Sequence, residues 1–281
     1  MNINFFFSAL KFKNKKFKKI KTMVYSFIEI IIFIFGLCIG SFINVCIYRL
    51  PISKSIVHPG SLCPNCKKPI RFYDNIPVLS YFLLRGRCRH CSTPISCRYP
   101  LIELISGFFA LFILSRFGLI IEGLIYYVFI ASLIIITFVD IDHKIIPDVI
   151  TIPGMLVFFV LASFGIPAMT YKDSIIGLLA GGGSLLAVAW TYHLITQKNG
   201  MGGGDIKLLA MIGTIVGWQG VIFTIFVASA AGTLVGILMM FRTQQSIKLA
   251  IPFGPFLSIG AVGYIFFGSK IIFWYFDIFG A

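Results

Sequence analysis

The chain has 281 residues, of which 58% are hydrophobic and only 12% charged, and it contains 30 phenylalanines. A water-soluble protein of this length could not bury so much apolar surface, so the composition excludes an ordinary soluble domain and predicts a protein of the lipid bilayer. The 24 Lys and Arg residues outnumber the 10 Asp and Glu residues. Because the basic clusters flank apolar segments, we attribute them to membrane orientation and expect no nucleic-acid partner.

The chain begins with a basic stretch, residues 1–22, that has seven lysines between Lys11 and Lys21. This stretch lacks the order of a signal peptide with a cleavage site. Met23 follows it directly, so we expect the natural start to be Met23 and residues 1–22 to be an extension. A basic amphipathic anchor or a targeting segment is the alternative.

Eight apolar segments predict membrane-spanning helices, since a spanning helix needs about 20 apolar residues. The first, residues 23–48, carries Glu29 as its only charge. The others follow a polar stretch at residues 49–100 and are residues 101–115, 124–139, 149–164, 174–195, 206–216, 221–240 and 250–267. The sequence therefore predicts an all-α polytopic membrane protein with about eight transmembrane helices, in which residues 101–281 form one transmembrane domain.

The polar stretch sets the orientation. Nine Lys and Arg residues fall between Arg49 and Arg98, where Asp74 is the only acid, so this loop is expected in the cytoplasm. The first span then runs inward from the periplasm. With this topology Asp140 lies at the inner end of the third span and Asp205 at the inner end of the sixth. Both carboxylates are thus expected near the cytoplasmic face.

The same stretch contains two CxxC pairs, Cys63/Cys66 and Cys88/Cys91, separated by 21 residues. Two such knuckles fit tetrahedral thiolate binding of Zn²⁺, and a module this small needs help to build a core. Because the cytoplasm is reducing, disulfides are the weaker explanation. We predict a small cytoplasmic module with a structural zinc ion between helices 1 and 2.

Two polar motifs interrupt the apolar segments. Asp140, Asp142 and Asp148 fall within one stretch of nine residues, and Asp205 follows four glycines in positions 200–204 and opens the next apolar helix. Glycines allow the backbone to approach other groups closely. Asp205 as a helix N-cap and nothing more is the simpler alternative.

Two carboxylates that are held close together share a proton, because their mutual repulsion leaves one ionised and one protonated. The ionised member can take a proton from water while the protonated one polarises a carbonyl. This arrangement hydrolyses a peptide bond without a metal or a covalent intermediate. The spacing indicates that Asp140 and Asp205 share a membrane depth; it does not establish that they meet.

At these residues the chain resembles the type IV prepilin peptidase family, the bifunctional leader peptidases and N-methyltransferases of type IV pilus and type II secretion systems. The resemblance rests on an ordered set of stretches: residues 40–45, 48–51, the two CxxC pairs, 95–96, 98–101, 103–104, 140–148, 202–207 and 252–256. A GxGD motif alone would be weak evidence. The ordered set covers nearly everything after Met23.

The resemblance implies a catalytic pair. The aspartate of the family's GxGD motif, with glycines at Gly202 and Gly204, corresponds to Asp205. The other catalytic residue stands a few positions before an Ile-Pro step, which selects Asp140 and leaves Asp142 as the alternative. Asp148 is expected to begin a helix, and Lys207 matches the motif and is expected to hold a carboxylate or contact the substrate.

The resemblance also implies the reaction and its setting. We expect a multi-pass protein of the bacterial inner membrane that cuts prepilin or pseudopilin precursors after a glycine, between a basic leader and an apolar helix. Methylation of the new N-terminus with S-adenosylmethionine is implied by the resemblance alone. The alternatives are a transporter, for which internal repeats would be typical, and a membrane-anchored zinc adaptor, which leaves Asp140 and Asp205 unexplained.

Overall fold

The structure is a computed structural model that describes residues 15–198, 202–243 and 251–279. Its helices are α1 (Lys15–Arg49), α2 (Leu79–Leu83), α3 (Arg98–Phe117), α4 (Ile121–His143), α5 (Asp148–Gly165), α6 (Tyr171–Thr196), α7 (Gly203–Thr243) and α8 (Gly254–Phe279). Short 3-10 turns occupy Leu50–Ile52 and Phe72–Asn75. Of the basic stretch at residues 1–22, the first fourteen residues lie outside the described ranges, and Gly200 and Met201 of the glycine-rich motif do so too.

Among the residues that the structure describes, six helices are long and apolar enough to cross a membrane: α1 with the turn after it, and α3 to α7. Helix α7 has 41 residues, and two helices meet within it at Gly217, where φ is 68°. A straight helix of that length would measure about 60 Å, roughly twice the thickness of the hydrocarbon core. The left-handed backbone at the bend suits a glycine.

Helix α7 therefore contains two of the predicted spans, 206–216 and 221–240. The last predicted span overlaps the shorter apolar stretch Gly254–Gly268 in α8. Apart from residues 251–253 at the start of the last one, the eight apolar segments are thus helical in the part of the chain that the structure describes. The prediction of an all-α, multi-pass membrane protein is confirmed.

The chain divides into two compact units, Met1–Ala131 and Ser132–Ala281. In the first unit, α1 packs on α3 through small residues. A Cβ atom added to Gly40 would lie 2.5 Å from the Cα atom of Glu103, and the Ser106 hydroxyl donates a hydrogen bond of 2.8 Å to the carbonyl of Gly36. Small residues at such crossings let two membrane helices approach to backbone contact.

In the second unit, α7 packs against α5, α6 and α8. Helices α6 and α7 touch at their backbones, since a Cβ atom on Gly177 would lie 2.1 Å from the carbonyl oxygen of Gly213. Helix α6 begins with a capping box in which Thr170 and Asp173 each accept a hydrogen bond from the other's backbone N–H. These contacts pack α6 closely on α7 near the start of α6.

Candidate active site and metal centre

Asp140 lies in the last turn of α4 and is 5% exposed. Its Oδ2 atom accepts a hydrogen bond of 2.9 Å from the backbone N–H of Gly254. Gly254 is the first residue of α8, so the carboxylate occupies a helix N-terminus, where unpaired N–H groups and the helix dipole favour a negative charge. The buried carboxylate of Asp140 therefore has a specific hydrogen-bond partner, the Gly254 N–H.

Asp205 is the third residue of α7 and is half-buried. Its backbone N–H donates a hydrogen bond of 3.2 Å to the carbonyl of Gly202. A Cβ atom on Gly202 would lie 3.7 Å from the Asp205 carboxylate, which is an ordinary contact. Of the two motif glycines in the described range, Gly202 is therefore the less constrained by packing.

Ile146 connects the two aspartate motifs. Its side chain lies against Gly204, where an added Cβ atom would approach the Ile146 Cβ to 2.9 Å, and against Gly254, where the distance to the Ile146 Cδ1 would be 3.5 Å. The starts of α7 and α8 thus meet around one side chain of the loop after α4. Asp140, which bonds to Gly254, and Asp205, which directly follows Gly204, are therefore brought to the same part of the second unit.

The other polar residues of the two motifs have exposed side chains. Asp142 is exposed near the end of α4, two residues beyond Asp140. Asp148 is the first residue of α5, and its two carboxylate oxygens accept hydrogen bonds of 2.8 and 2.7 Å from Lys207 Nζ. Both members of this ion pair are exposed, with 55% and 39% of their side-chain surface accessible. Lys207 therefore holds the carboxylate of Asp148.

The backbone between the motifs forms a tight reversal. Helix α4 ends at His143, and Lys144 adopts a left-handed conformation with φ of 55°. The Lys144 N–H donates a hydrogen bond of 2.8 Å to the carbonyl of Asp140, and Pro147 then leads into α5. This reversal returns the chain to the same end of the helices and places Ile146 beside the two glycines.

The contacts of two residues, Gly254 and Ile146, cannot be recognised from the sequence. Gly254 lies in the 252–256 stretch that carries the family resemblance, but a glycine in an apolar segment gives no sign that its N–H binds a carboxylate. In the sequence, Ile146 is only the first residue of the Ile-Pro step that selects Asp140. Contacts of this kind depend on residues far apart in the chain, and short motifs do not encode them.

The four cysteines of the polar stretch converge in the first unit. The Sγ atoms of Cys63, Cys66, Cys88 and Cys91 all lie within 4.8 Å of one another, and those of Cys63 and Cys91 are 3.7 Å apart. In a tetrahedral zinc site with Zn–S bonds of about 2.3 Å, neighbouring sulfurs are separated by about 3.8 Å. The donor set therefore fits a metal ion such as zinc.

The two CxxC turns have the same backbone geometry. In the first turn, the Lys67 N–H donates to the Cys63 carbonyl at 3.0 Å; in the second, the Ser92 N–H donates to the Cys88 carbonyl at 2.9 Å. Lys67 and Ser92 are both left-handed, with φ of 57° and 56°. Two equivalent turns facing each other supply four thiols from two directions, as a tetrahedral site requires.

The thiols do not ionise alike. The Thr93 hydroxyl and backbone hydrogen-bond to Cys91 and lower the pKa of its thiol to about 5. The Lys68 backbone bonds to Cys66, yet desolvation and the neighbouring thiols raise the pKa of Cys66 to about 11. Without a cation, four adjacent thiols therefore cannot all carry charge at neutral pH. A divalent metal ion would offset that repulsion and bind all four as thiolates.

An ion pair between Arg89 and Asp74 lies within residues 49–100, which we call the cysteine module. Arg89, between two of the cysteines, donates hydrogen bonds of 2.6 and 3.1 Å to Oδ1 of Asp74 and one of 2.8 Å to Oδ2. The guanidinium lowers the pKa of Asp74, whose side chain is only 8% exposed. The guanidinium also lies over the ring of Tyr73, 5.6 Å from its centroid. The only acid between residues 49 and 98 is thus used inside the module.

Comparisons with known proteins agree with the division of the chain into two units. Residues 34–117 match the bacterial Peptidase A24 N-terminal domain, and residues 127–237 match the type IV leader peptidase family. Three similar curated proteins bear the name prepilin leader peptidase/N-methyltransferase. The one from Myxococcus xanthus (strain DK1622) is 40% identical over 217 residues, which span 77% of this chain and 64% of that relative.

The second, from Pseudomonas putida, is 35% identical over 260 residues, covering 85% of this chain and 90% of the relative. The third, from Aeromonas hydrophila, is 36% identical over 277 residues, covering 87% and 92%. No solved structure matches the chain significantly.

Proposed function

The chain belongs to the type IV leader peptidase family, and we propose that it is a prepilin leader peptidase and N-methyltransferase whose peptidase uses an aspartate pair. The observation that supports the aspartate pair is the buried Asp140 carboxylate bonded to the Gly254 N–H, because Gly254 and the Gly204 that precedes Asp205 both contact Ile146. The transporter and adaptor alternatives find no support in the comparisons.

In the proposed reaction, one of Asp140 and Asp205 is ionised and the other protonated. The ionised carboxylate takes a proton from a water molecule as the water oxygen attacks the scissile carbonyl carbon. The protonated carboxyl donates a hydrogen bond to the carbonyl oxygen, where negative charge develops. A proton then passes to the departing amine nitrogen as the C–N bond breaks, and the pair returns to its starting state.

The proposed substrates are prepilins and pseudopilins of type IV pilus or type II secretion systems. Asp140 and Asp205 lie at helix ends rather than at helix centres, so they suit a bond at a membrane surface. A basic leader would remain in the cytoplasm, the apolar helix of the precursor would lie in the bilayer, and the bond after glycine would be presented between them. We accordingly place the protein in the bacterial inner membrane, with this end of the helices on the cytoplasmic side.

The cysteine module has a structural role in this proposal. Cys63, Cys66, Cys88 and Cys91 would bind Zn²⁺ and hold residues 49–100 together as a cytoplasmic module, between a first helix at residues 23–48 and a peptidase domain at residues 101–281. S-adenosylmethionine would supply the methyl group for the new N-terminus. That second activity rests on the printed name of the relatives, and we assign no residues to it.

The proposal is tested by co-expressing the protein with a prepilin that has a basic leader ending in glycine, and by following leader removal as a change in gel mobility. We expect cleavage by the wild type and none by Asp140→Ala or Asp205→Ala. Asp142→Ala, an exposed neighbour on the same helix, is the matched control and should cleave. Cleavage by Asp140→Ala but not by Asp142→Ala would transfer the catalytic role to Asp142. No cleavage by well-expressed wild type with several prepilins would refute the peptidase.

A further inference from the structure

The short helix α2 is hydrogen-bonded to the beginning of α3, a candidate membrane-spanning helix. The backbone N–H of Val78, the residue before α2, donates a hydrogen bond of 2.7 Å to Glu103 Oε2. Glu103 is the sixth residue of α3 and is 8% exposed, which places it about 8 Å along the axis from the start of that helix. Because α3 is apolar enough to cross a membrane from Arg98 onward, we expect α2 to lie at the membrane–water interface.

One side of α2 packs on the cysteine module, and the other side is exposed. Ser80 is buried, and its hydroxyl donates a hydrogen bond of 3.0 Å to the carbonyl of Tyr73. By contrast, Leu79, Phe82 and Leu83 are 52%, 67% and 71% exposed. Three large apolar side chains on one short segment, at the depth of the interface, are typical of a segment that dips into a lipid leaflet.

Two exposed arginines, Arg85 and Arg87, follow these apolar side chains. The turn between them and α2 is well defined, because Gly86 has a left-handed φ of 65° and its N–H donates a hydrogen bond of 2.8 Å to the carbonyl of Tyr81. The only carboxylate between residues 49 and 98 belongs to Asp74, which is bonded to Arg89. The surface beside the apolar side chains is therefore cationic.

We propose that residues 78–87, which we call the interfacial segment, dock onto anionic phospholipids of the leaflet that α3 enters. Leu79, Phe82 and Leu83 insert at the boundary between head groups and acyl chains, while Arg85 and Arg87 bind lipid phosphates. The hydrogen bond from Val78 to Glu103 holds the segment at the required depth. The segment thereby anchors the cysteine module flat against the membrane, next to the helices to which it is joined.

The charges favour lipid over a protein occupant. An apolar substrate helix could cover Leu79, Phe82 and Leu83, but the leader of a prepilin is basic and would be repelled by Arg85 and Arg87. A bilayer that contains anionic lipid matches both the apolar and the cationic parts of the segment. This inference does not depend on peptidase activity.

The test uses the full-length protein with Phe82 replaced by the photocrosslinker p-benzoyl-phenylalanine, reconstituted in nanodiscs of phosphatidylcholine with or without phosphatidylglycerol. The matched control carries the same crosslinker at His90, which is exposed within the second CxxC turn. After irradiation, adducts are identified by mass spectrometry. Zinc content and monodispersity verify that both variants are folded.

We expect lipid adducts at position 82, enriched in phosphatidylglycerol, and few at position 90. Arg85→Gln and Arg87→Gln should each lower the enrichment of phosphatidylglycerol adducts by about fivefold. Together the two substitutions should remove the preference for this lipid. A lack of lipid adducts at position 82 in folded protein would overturn the proposal. Adducts formed only with an added prepilin, on the prepilin itself, would overturn it in favour of a substrate-docking surface.

Discussion

The backbone N–H of Gly254 donates a hydrogen bond of 2.9 Å to the carboxylate of Asp140, joining the start of α8 to the end of α4 across 114 positions of the chain. A Cβ atom on Gly254 would lie 2.7 Å from the same oxygen, Asp140 Oδ2. Only glycine therefore permits this approach. The proposed catalytic carboxylate is therefore oriented by the backbone of a residue that has no side chain.

Gly254→Ala should consequently reduce prepilin cleavage by about 10²-fold or more, because displacing a catalytic group by roughly 1 Å has an effect of this size. Cleavage rates of purified protein in detergent would measure it. Gly263→Ala is the matched control, since it lies in the same helix and its added Cβ atom would have its nearest contact at an ordinary 3.6 Å. Equal rates for the two variants would show that Asp140 needs no such support.

The ion pair of Lys207 and Asp148 should contribute little to stability. Both side chains are well exposed, and exposed pairs contribute about 0–1 kcal/mol. A double-mutant cycle with Asp148→Asn and Lys207→Gln, followed by denaturant unfolding in mixed micelles, should give a coupling free energy below about 1 kcal/mol. A coupling of several kcal/mol would mean that the pair is shielded from water in the membrane-bound protein.

The cysteine module should bind about one zinc ion per chain, and Cys63→Ser should abolish this binding because a structural site needs all four ligands. Loss of the ion should expose residues 53–97 to limited proteolysis, since so small a module has few other stabilising contacts. Metal analysis and peptide mapping would follow both changes.

Cys97→Ser is the control for that experiment, because Cys97 is exposed and is not among the four clustered thiols. It should retain zinc and remain resistant to protease. Full zinc occupancy in Cys63→Ser would contradict the four-thiolate site.

Gly40→Ala should destabilise the packing of α1 on α3, since its Cβ atom would lie 2.5 Å from the backbone of Glu103. Overpacking of this kind costs about 1–3 kcal/mol. Thermal unfolding in detergent would measure the change. Gly183→Ala in α6 is a suitable comparison, because its added Cβ atom would meet nothing within 4 Å, and it should leave the midpoint unchanged or raise it slightly. If both variants melt together, the crossing tolerates a larger separation.

The sequence by itself determined the elements. The length and apolarity of its segments required membrane helices, because an unpaired backbone is too costly in lipid, and each of the eight segments contains a helix in the described residues. The spacing of Cys63, Cys66, Cys88 and Cys91 predicted a cluster because a CxxC turn is local, and the four thiols converge as expected. Asp140 and Asp205 were selected from local motifs, and their catalytic roles stay predictions.

Only the tertiary structure decided which groups meet. Asp140 lies next to Gly254 because α7 and α8 pack closely enough to bring Ile146 against both Gly204 and Gly254. Val78 binds Glu103 across 25 positions, and this contact leaves the apolar side of α2 open. Hydrogen bonds and close packing between distant residues arise from the three-dimensional arrangement of the helices, which no short stretch of sequence specifies.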